Sequence, residues 1–153
     1  MKLALACILI ATIGMSVPIQ EPIREPICLS DTRNPCGISD SDFEFFARVV
    51  QAEDCGDPND HDNRVAIAQV IWNRVDSENW PDSVYEVLTE SGQFSTVKNG
   101  ECNAVADDDC RMAIIEAYLE RPYPKNMVYF RADFFFSSHK EYKKISDNCF
   151  SLE

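Results

Sequence analysis

The residue best placed to do chemistry is Glu53. Phe43, Phe46, Ala47 and Val50 recur at helical spacing, and Glu53 falls three residues after Val50 on the same stripe. An acid at the end of a core-facing row is partly shielded from water, and burial raises a carboxyl pKa unless cations or donors oppose it. A carboxylic acid that keeps its proton near neutral pH can protonate a leaving oxygen, as cleavage of a glycosidic bond requires. The local pattern alone favours a plainer reading, a helix-end glutamate paired with Arg48 or Arg74. Among second carboxylates, Asp54 points about 100 degrees away from Glu53 around a helix. Asp57, in the following turn, could approach the same cleft. Paired carboxylates are the usual hydrolytic arrangement, but sequence does not set their separation. Ser95, Ser137 and Ser138 lack the context of an activated nucleophile, and no local arrangement around His139 makes a triad.

These residues depend on the elements that hold them. Ser41 and Glu44 fit a capping box, which starts a helix that ends near Gly56, before Pro58. Asp60 or Asp62 caps a second helix reaching Val75. Its apolar body, Val65 to Ile71, reads as a central core helix that ends at Asn73 and Arg74. A short helix fits Ser83 to Leu88, and Ser91 to Gly100 reads as a loop. Another helix is expected over Asp108 to Leu119, stopped by Pro122 and Pro124. Met127 to Phe136 is rich in aromatic residues, which favours extended structure. Phe134, Phe135 and Phe136 either pack in the core or line a groove. The fold class is therefore α+β, mostly helical.

Composition narrows the setting. Lys2 followed by the apolar run Leu3–Gly14 has the form of a cleaved secretory signal, placed at 1–16. Prolines at 18, 22, 26 and 35 mark an extended arm over 17–40, and the folded domain is expected over 41–153. A secreted protein, periplasmic or extracellular, is expected. No second run of membrane-spanning length follows, so stable membrane insertion of the mature protein is not expected. Six cysteines remain after the signal: Cys28, Cys36, Cys55, Cys102, Cys110 and Cys149. In an oxidising compartment they suggest disulfides, with Cys28–Cys36 and Cys102–Cys110 as candidate short loops. No CxxC pair exists, and His61 and His139 lack ligand spacing, so no metal or cofactor is expected. The formal charge of −12 argues against nucleic acid as a partner. Asp57, Asp60 and Asp62, and Asp107 to Asp109, read as solvated acids or as calcium ligands without the full EF-hand pattern. Oligomeric state is not determined.

An ordered set of blocks carries a resemblance. Phe46-Ala47-Arg48-Val49-Val50-Gln51-Ala52-Glu53-Asp54-Cys55-Gly56-Asp57 resembles L-A-R-x-V-Y-x-E-A-x-G-E. Val65-Ala66-Ile67-Ala68-Gln69-Val70-Ile71-Trp72-Asn73-Arg74-Val75 is similar to V-A-x-V-I-L-N-R-V. Gly92-Gln93-Phe94-Ser95 matches G-Q-F-S, and Val128-Tyr129-Phe130 resembles part of A-L-Y-F. Together they resemble the cell-wall hydrolase family that includes the catalytic domain of the spore cortex-lytic enzyme SleB. The resemblance implies a compact lysozyme-like or lytic-transglycosylase-like domain over about residues 43 to 150. It implies Glu53 as the catalytic acid, and peptidoglycan glycan strands, cut between N-acetylmuramic acid and N-acetylglucosamine, as the partner. Lytic transglycosylation is the first expectation. Hydrolysis as a muramidase, N-acetylmuramoyl-L-alanine amidase action, and a non-catalytic wall-binding role are the alternatives. Gln93 and Ser95 become candidates for substrate contact, for orienting Glu53, or for bracing their own loop. Tyr129 is a candidate for sugar stacking or for packing. The chain departs from the family at Asp57, usually glutamate, at Thr96, usually proline, and at Asn148, which stands where a histidine is usual. Asparagine hydrogen-bonds but does not titrate.

Overall fold

Side-chain caps set the helix starts. The sequence Ser39-Asp40-Ser41-Asp42-Phe43-Glu44 offers two capping boxes, and the protein uses the earlier one. Ser39 Oγ accepts from the Asp42 amide at 3.1 Å and donates to Asp42 Oδ2 at 2.7 Å. The expected Ser41–Glu44 box does not form, because Arg111 takes both Glu44 oxygens at 2.7 Å. A two-pronged guanidinium–carboxylate pair outcompetes a single exposed cap contact. Asp60, Ser83 and Asp107 cap three of the later helices, each side chain accepting from an amide three residues on.

The computed structural model describes residues 34–54, 59–103 and 105–153. Along these run α1 (Asp40–Glu53), α2 (His61–Val75), α3 (Val84–Thr89), α4 (Ser95–Asn99), a 3-10 turn (Glu101–Asn103), α5 (Asp108–Glu120), β1 (Met127–Ala132), β2 (Lys140–Ile145) and β3 (Asn148–Leu152). The class is α+β with a helical majority, as expected. The expected signal, most of the arm, Cys28, Cys55 and Asp57 lie outside the described residues. No helix among the described residues is long and apolar enough to cross a membrane.

The central position expected for α2 is realised, and its polar side chains do as much as its apolar ones. Every residue from Asn63 to Arg74 is buried. Gln69 exchanges hydrogen bonds with the Tyr123 backbone at 2.6 and 2.9 Å. Asn73 donates to the carbonyls of Pro124 and Met127, both at 2.9 Å, and Arg74 Nε donates to Val128 O at 2.8 Å. A buried polar group without a partner is costly. These three therefore fix where the chain leaves α5 and begins β1, rather than bracing helix against helix.

Two expectations about local structure are corrected. The segment 91–100 is not wholly loop: burial of Phe94 and Thr96 draws it onto the core, where α4 forms and ends at Gly100 with φ 74°. The extended region does not reach Phe136. It stops at Ala132, and two further strands build an antiparallel sheet in the order β1-β3-β2. β2 is exposed along five of its six residues, with Lys140, Lys143 and Lys144 on the sheet edge. Lysines at an edge discourage pairing with another chain, and they also hide the strand from hydrophobic pattern reading.

The cysteines also differ from expectation. Among the described residues Cys36, Cys102, Cys110 and Cys149 are free thiols, each buried, so the Cys102–Cys110 loop does not close; Cys28, the expected partner of Cys36, lies outside the described residues. Three of the four sit in the hydrophobic core, where a thiol packs as a small apolar group. Burial pushes the Cys36 thiol to about 11, against the opposing charge of Arg121, and the Cys110 thiol to about 12.

One ion pair joins three helices. Arg64 Nε meets Asp54 Oδ2 at 2.8 Å, with the two side chains 3% and 1% exposed. Asn63 Nδ2 holds the other Asp54 oxygen at 2.7 Å. Arg64 Nη1 reaches Asp107 and Asp109 at the start of α5, both at 3.0 Å. Beside it, His61 bridges Asp109 at 2.8 Å and Glu116 at 3.0 Å. Burial works against charging His61, but these two carboxylates outweigh it and raise its pKa above 6.5. Asp54→Ala should cost about 1–3 kcal/mol in urea unfolding, because it leaves the buried Arg64 Nε and Asn63 Nδ2 without their acceptor while Asp107 and Asp109 still face the guanidinium. An unchanged midpoint would show the pair to be incidental. A raised folded-state pKa stabilises below the unfolded value and is lost as pH rises through the folded value. The stability lost in His61→Gln should therefore be larger at about pH 5.5 than at about pH 9.

Candidate functional site

Glu53 is the last residue of α1, and Asp54 behind it is locked to Arg64. The backbone that carries Glu53 is therefore tethered one residue away, while its own side chain is half-buried and forms no ion pair among the described residues. Neither expected basic partner takes it. Arg48 donates to the Glu44 carbonyl at 3.3 Å and covers the Phe45 ring. Arg74 donates to β1, and its guanidinium lies 4.1 Å from the centre of the Trp80 ring. Burial holds the Arg74 guanidinium down at about 10.

The group that does reach Glu53 is Thr96. Its hydroxyl donates to Glu53 Oε1 at 2.5 Å. α4 presents this donor. Burial raises the Glu53 pKa above its ordinary value and sets the direction. Thr96 pulls it down, the nearby Glu101 charge pushes it up, and Arg74 lowers it. The hydroxyl occupies Oε1, which leaves Oε2 as the oxygen that can carry a proton for donation.

This carboxyl opens on a groove of about 430 Å³. Gln93, Ser95 and Thr96 form the wall beside Glu53. Phe130, Arg131 and Phe136 form the facing wall from β1 and the segment after it, and Glu101 contributes a second carboxylate. Gln93 and Ser95 are exposed to the groove. Asn148 borders it, but its side chain is buried and turned inward, with Nδ2 donating to Asn63 Oδ1 at 3.2 Å. Asn148 thus joins the Asn63–Asp54–Arg64 chain behind Glu53. Tyr129 is not part of the lining. Its ring stacks on His139 at 3.8 Å and meets Trp80 and Phe136 edge-on. Of the three consecutive phenylalanines, Phe136 lines the groove and Phe134 is exposed.

Sequence reasoning missed three residues here. Thr96 registered only as a lost proline, although the change supplies a hydroxyl and an N–H that proline lacks. Glu101 and Arg131 carry no local signal, since a single charged residue after a glycine or on a strand is ordinary. Only the approach of α4 and β1 to the end of α1 brings them to Glu53.

Comparison with known proteins agrees with this architecture. A family model described as Cell Wall Hydrolase matches residues 59–151, beginning just after the Glu53 helix. A spore cortex-lytic enzyme of Halalkalibacterium halodurans is 36% identical over 86 residues, 56% of this chain and 26% of that protein. Its counterpart in Bacillus subtilis is 33% identical over 100 residues, 65% of this chain and 32% of that protein. The chain thus spans about a quarter to a third of the length of these curated relatives. The solved catalytic domain of the germination-specific lytic transglycosylase SleB from Bacillus anthracis superposes with a TM-score of 0.64 at 26% identity, covering 77% of this chain and 99% of that domain. The Bacillus cereus SleB catalytic domain gives 0.63, also at 26% identity, covering 79% and 96%. With a family match across more than half its length and the same α+β architecture as two solved members, the chain belongs to the cell-wall hydrolase family.

Proposed function

We propose that this chain is an exported enzyme that cleaves peptidoglycan glycan strands between N-acetylmuramic acid and N-acetylglucosamine, as a lytic transglycosylase. One observation carries the reading: a half-buried carboxyl with a raised pKa, free of ion pairs among the described residues, faces an open groove and is steered by Thr96. Family membership supports it.

In this mechanism protonated Glu53 gives its proton to the glycosidic oxygen as the bond to C1 of the muramic acid breaks. The muramic acid 6-hydroxyl closes on C1, and the Glu53 carboxylate takes the hydroxyl proton. The acid is thereby restored and the product ends in an anhydromuramyl sugar. One carboxyl serves as acid and then base, so no second carboxylate is needed. In this reading Gln93 and Ser95, which line the groove, contact the sugars. Asn148 supports the backbone behind Glu53, and Tyr129 acts through packing.

Hydrolysis is the second reading, and Glu101 favours it. A second carboxylate on the same groove could activate water for attack on C1. Muropeptide mass spectrometry separates the two. Anhydromuramyl ends mark transglycosylation and reducing ends mark hydrolysis, whereas free stem peptides would overturn both in favour of amidase action.

Glu53→Gln should keep the fold and lower turnover of purified peptidoglycan by roughly a hundredfold or more. Wild-type rates in that variant would remove Glu53 from the mechanism. Thr96→Val should raise the Glu53 pKa further, because it deletes a donor to the charged form. A general acid works while protonated, so the alkaline limb of kcat/KM should move to higher pH. Thr96→Ser, which keeps the hydroxyl, should hold the limb in place. A limb unmoved by valine would show that Thr96 does not tune the acid.

A further inference from the structure

The charged side chains lining the groove are unequal in sign. Two are carboxylates, Glu53 and Glu101, and one is a cation, Arg131. The protein as a whole carries a formal charge of −12, so a cation in this position stands out electrostatically. The other arginines differ in how they are used. Arg64, Arg111 and Arg121 are each paired with a carboxylate. Arg74 is buried and bonded to the backbone. Arg131 meets no carboxylate among the described residues. Its guanidinium rests 3.7 Å from the centre of the Phe134 ring and 4.9 Å from that of Phe136. Stacking of this kind covers the flat faces of the guanidinium and leaves its N–H edge available. The side chain is therefore held in place before any ligand arrives, which lowers the ordering cost of binding.

The proposed substrate supplies a matching anion at alternate sugars. N-acetylglucosamine is neutral. N-acetylmuramic acid bears a lactyl group that ends either in its own carboxylate or in a peptide that carries carboxylates. We propose that Arg131 is an anion subsite which pairs with the carboxylate borne by the muramoyl residue and so sets the register of the strand over Glu53. This inference rests on the peptidoglycan reading above. A guanidinium fork binds a carboxylate through two parallel hydrogen bonds and gives direction as well as affinity. In a register shifted by one sugar, the neutral residue would face Arg131 and the acidic substituent would lie toward the carboxylates of the groove. Like charges there would disfavour that arrangement. Arg131 thus selects which of the two alternating linkages meets the acid.

The test uses soluble glycan oligomers in three forms: peptide-free with the lactyl carboxylate open, peptide-bearing, and with all carboxylates amidated. Binding is measured to the full chain carrying Glu53→Gln, with and without Arg131→Gln. Amidation should weaken binding about tenfold when Arg131 is present and have little effect in Arg131→Gln. Arg131-dependent binding of the peptide-free form assigns the anion to the lactyl group. Dependence seen only with the peptide-bearing form assigns it to the stem peptide. In the chain with Glu53 intact, Arg131→Gln should raise KM about tenfold with little change in kcat, and Arg131→Lys should recover part of the loss. Equal binding of open and amidated oligomers by the Arg131-containing chain would overturn the subsite, and that result does not depend on any Arg131 variant folding. Failure of the unmodified chain to cleave peptidoglycan would instead overturn the proposed function, while the binding arm still reports on Arg131.

Discussion

The buried pair between Asp54 and Arg64 is the constraint from which the site follows. Two opposite charges removed from water are tolerated only with good geometry and with their remaining donors and acceptors satisfied. Both conditions hold here. Asp54 accepts from Arg64 and Asn63, and Arg64 reaches on to Asp107 and Asp109. Each contact belongs to a different element: the end of α1, the first turn of α2 and the start of α5. Losing any one alignment would leave a buried donor or acceptor without its partner. The end of α1 is therefore specified by electrostatics as well as by packing, and Glu53 is the residue immediately before the tether.

That arrangement separates two adjacent acids by environment. Asp54 is nearly inaccessible and paired with a guanidinium, whereas Glu53 opens on the groove and is steered by the Thr96 hydroxyl. The two roles are compatible because the backbone turns the side chains in different directions. Burial raises the Glu53 pKa, and Thr96 opposes it without cancelling it. A cation paired directly with Glu53 would hold its charged form and remove its value as a proton donor. Arg74 comes close to that role, but its Nε is bonded to β1 and its face lies on Trp80.

The far wall of the groove depends on polar residues inside a hydrophobic helix. Gln69, Asn73 and Arg74 capture the backbone between Tyr123 and Val128 and so set the line of β1. β3 then pairs with β1 from Ala132 opposite Asn148 to Met127 opposite Leu152. This register places Asn148 against Asn63 behind the site while Phe130 and Arg131 face the groove. Sheet and helices are thereby coupled through side-chain amides, which need a specific partner geometry that apolar contacts do not.

Much of the helical frame was legible locally. Apolar spacing located α1, α2 and α5, and an acidic cap located the start of α2, because periodicity and capping act within a few residues. The same spacing put Glu53 at the edge of the core. What stayed hidden was non-local. The α1 start shifted because Arg111, sixty-seven residues beyond Glu44, claimed the expected cap partner. β2 went unseen because an exposed, lysine-rich edge strand has no alternating pattern. Of the cysteines, read as disulfides from their number, the four described ones are free and buried, since a thiol that packs in the core and one that forms a bridge look alike in a sequence. The amino-acid order alone determined the helical frame and a shielded acid at position 53. Tertiary structure decided the neighbours of that acid, because Thr96 and Glu101 act on it through space, Arg131 lines its groove from another element, and the pKa of a carboxyl answers to the groups around it rather than to those beside it in the chain.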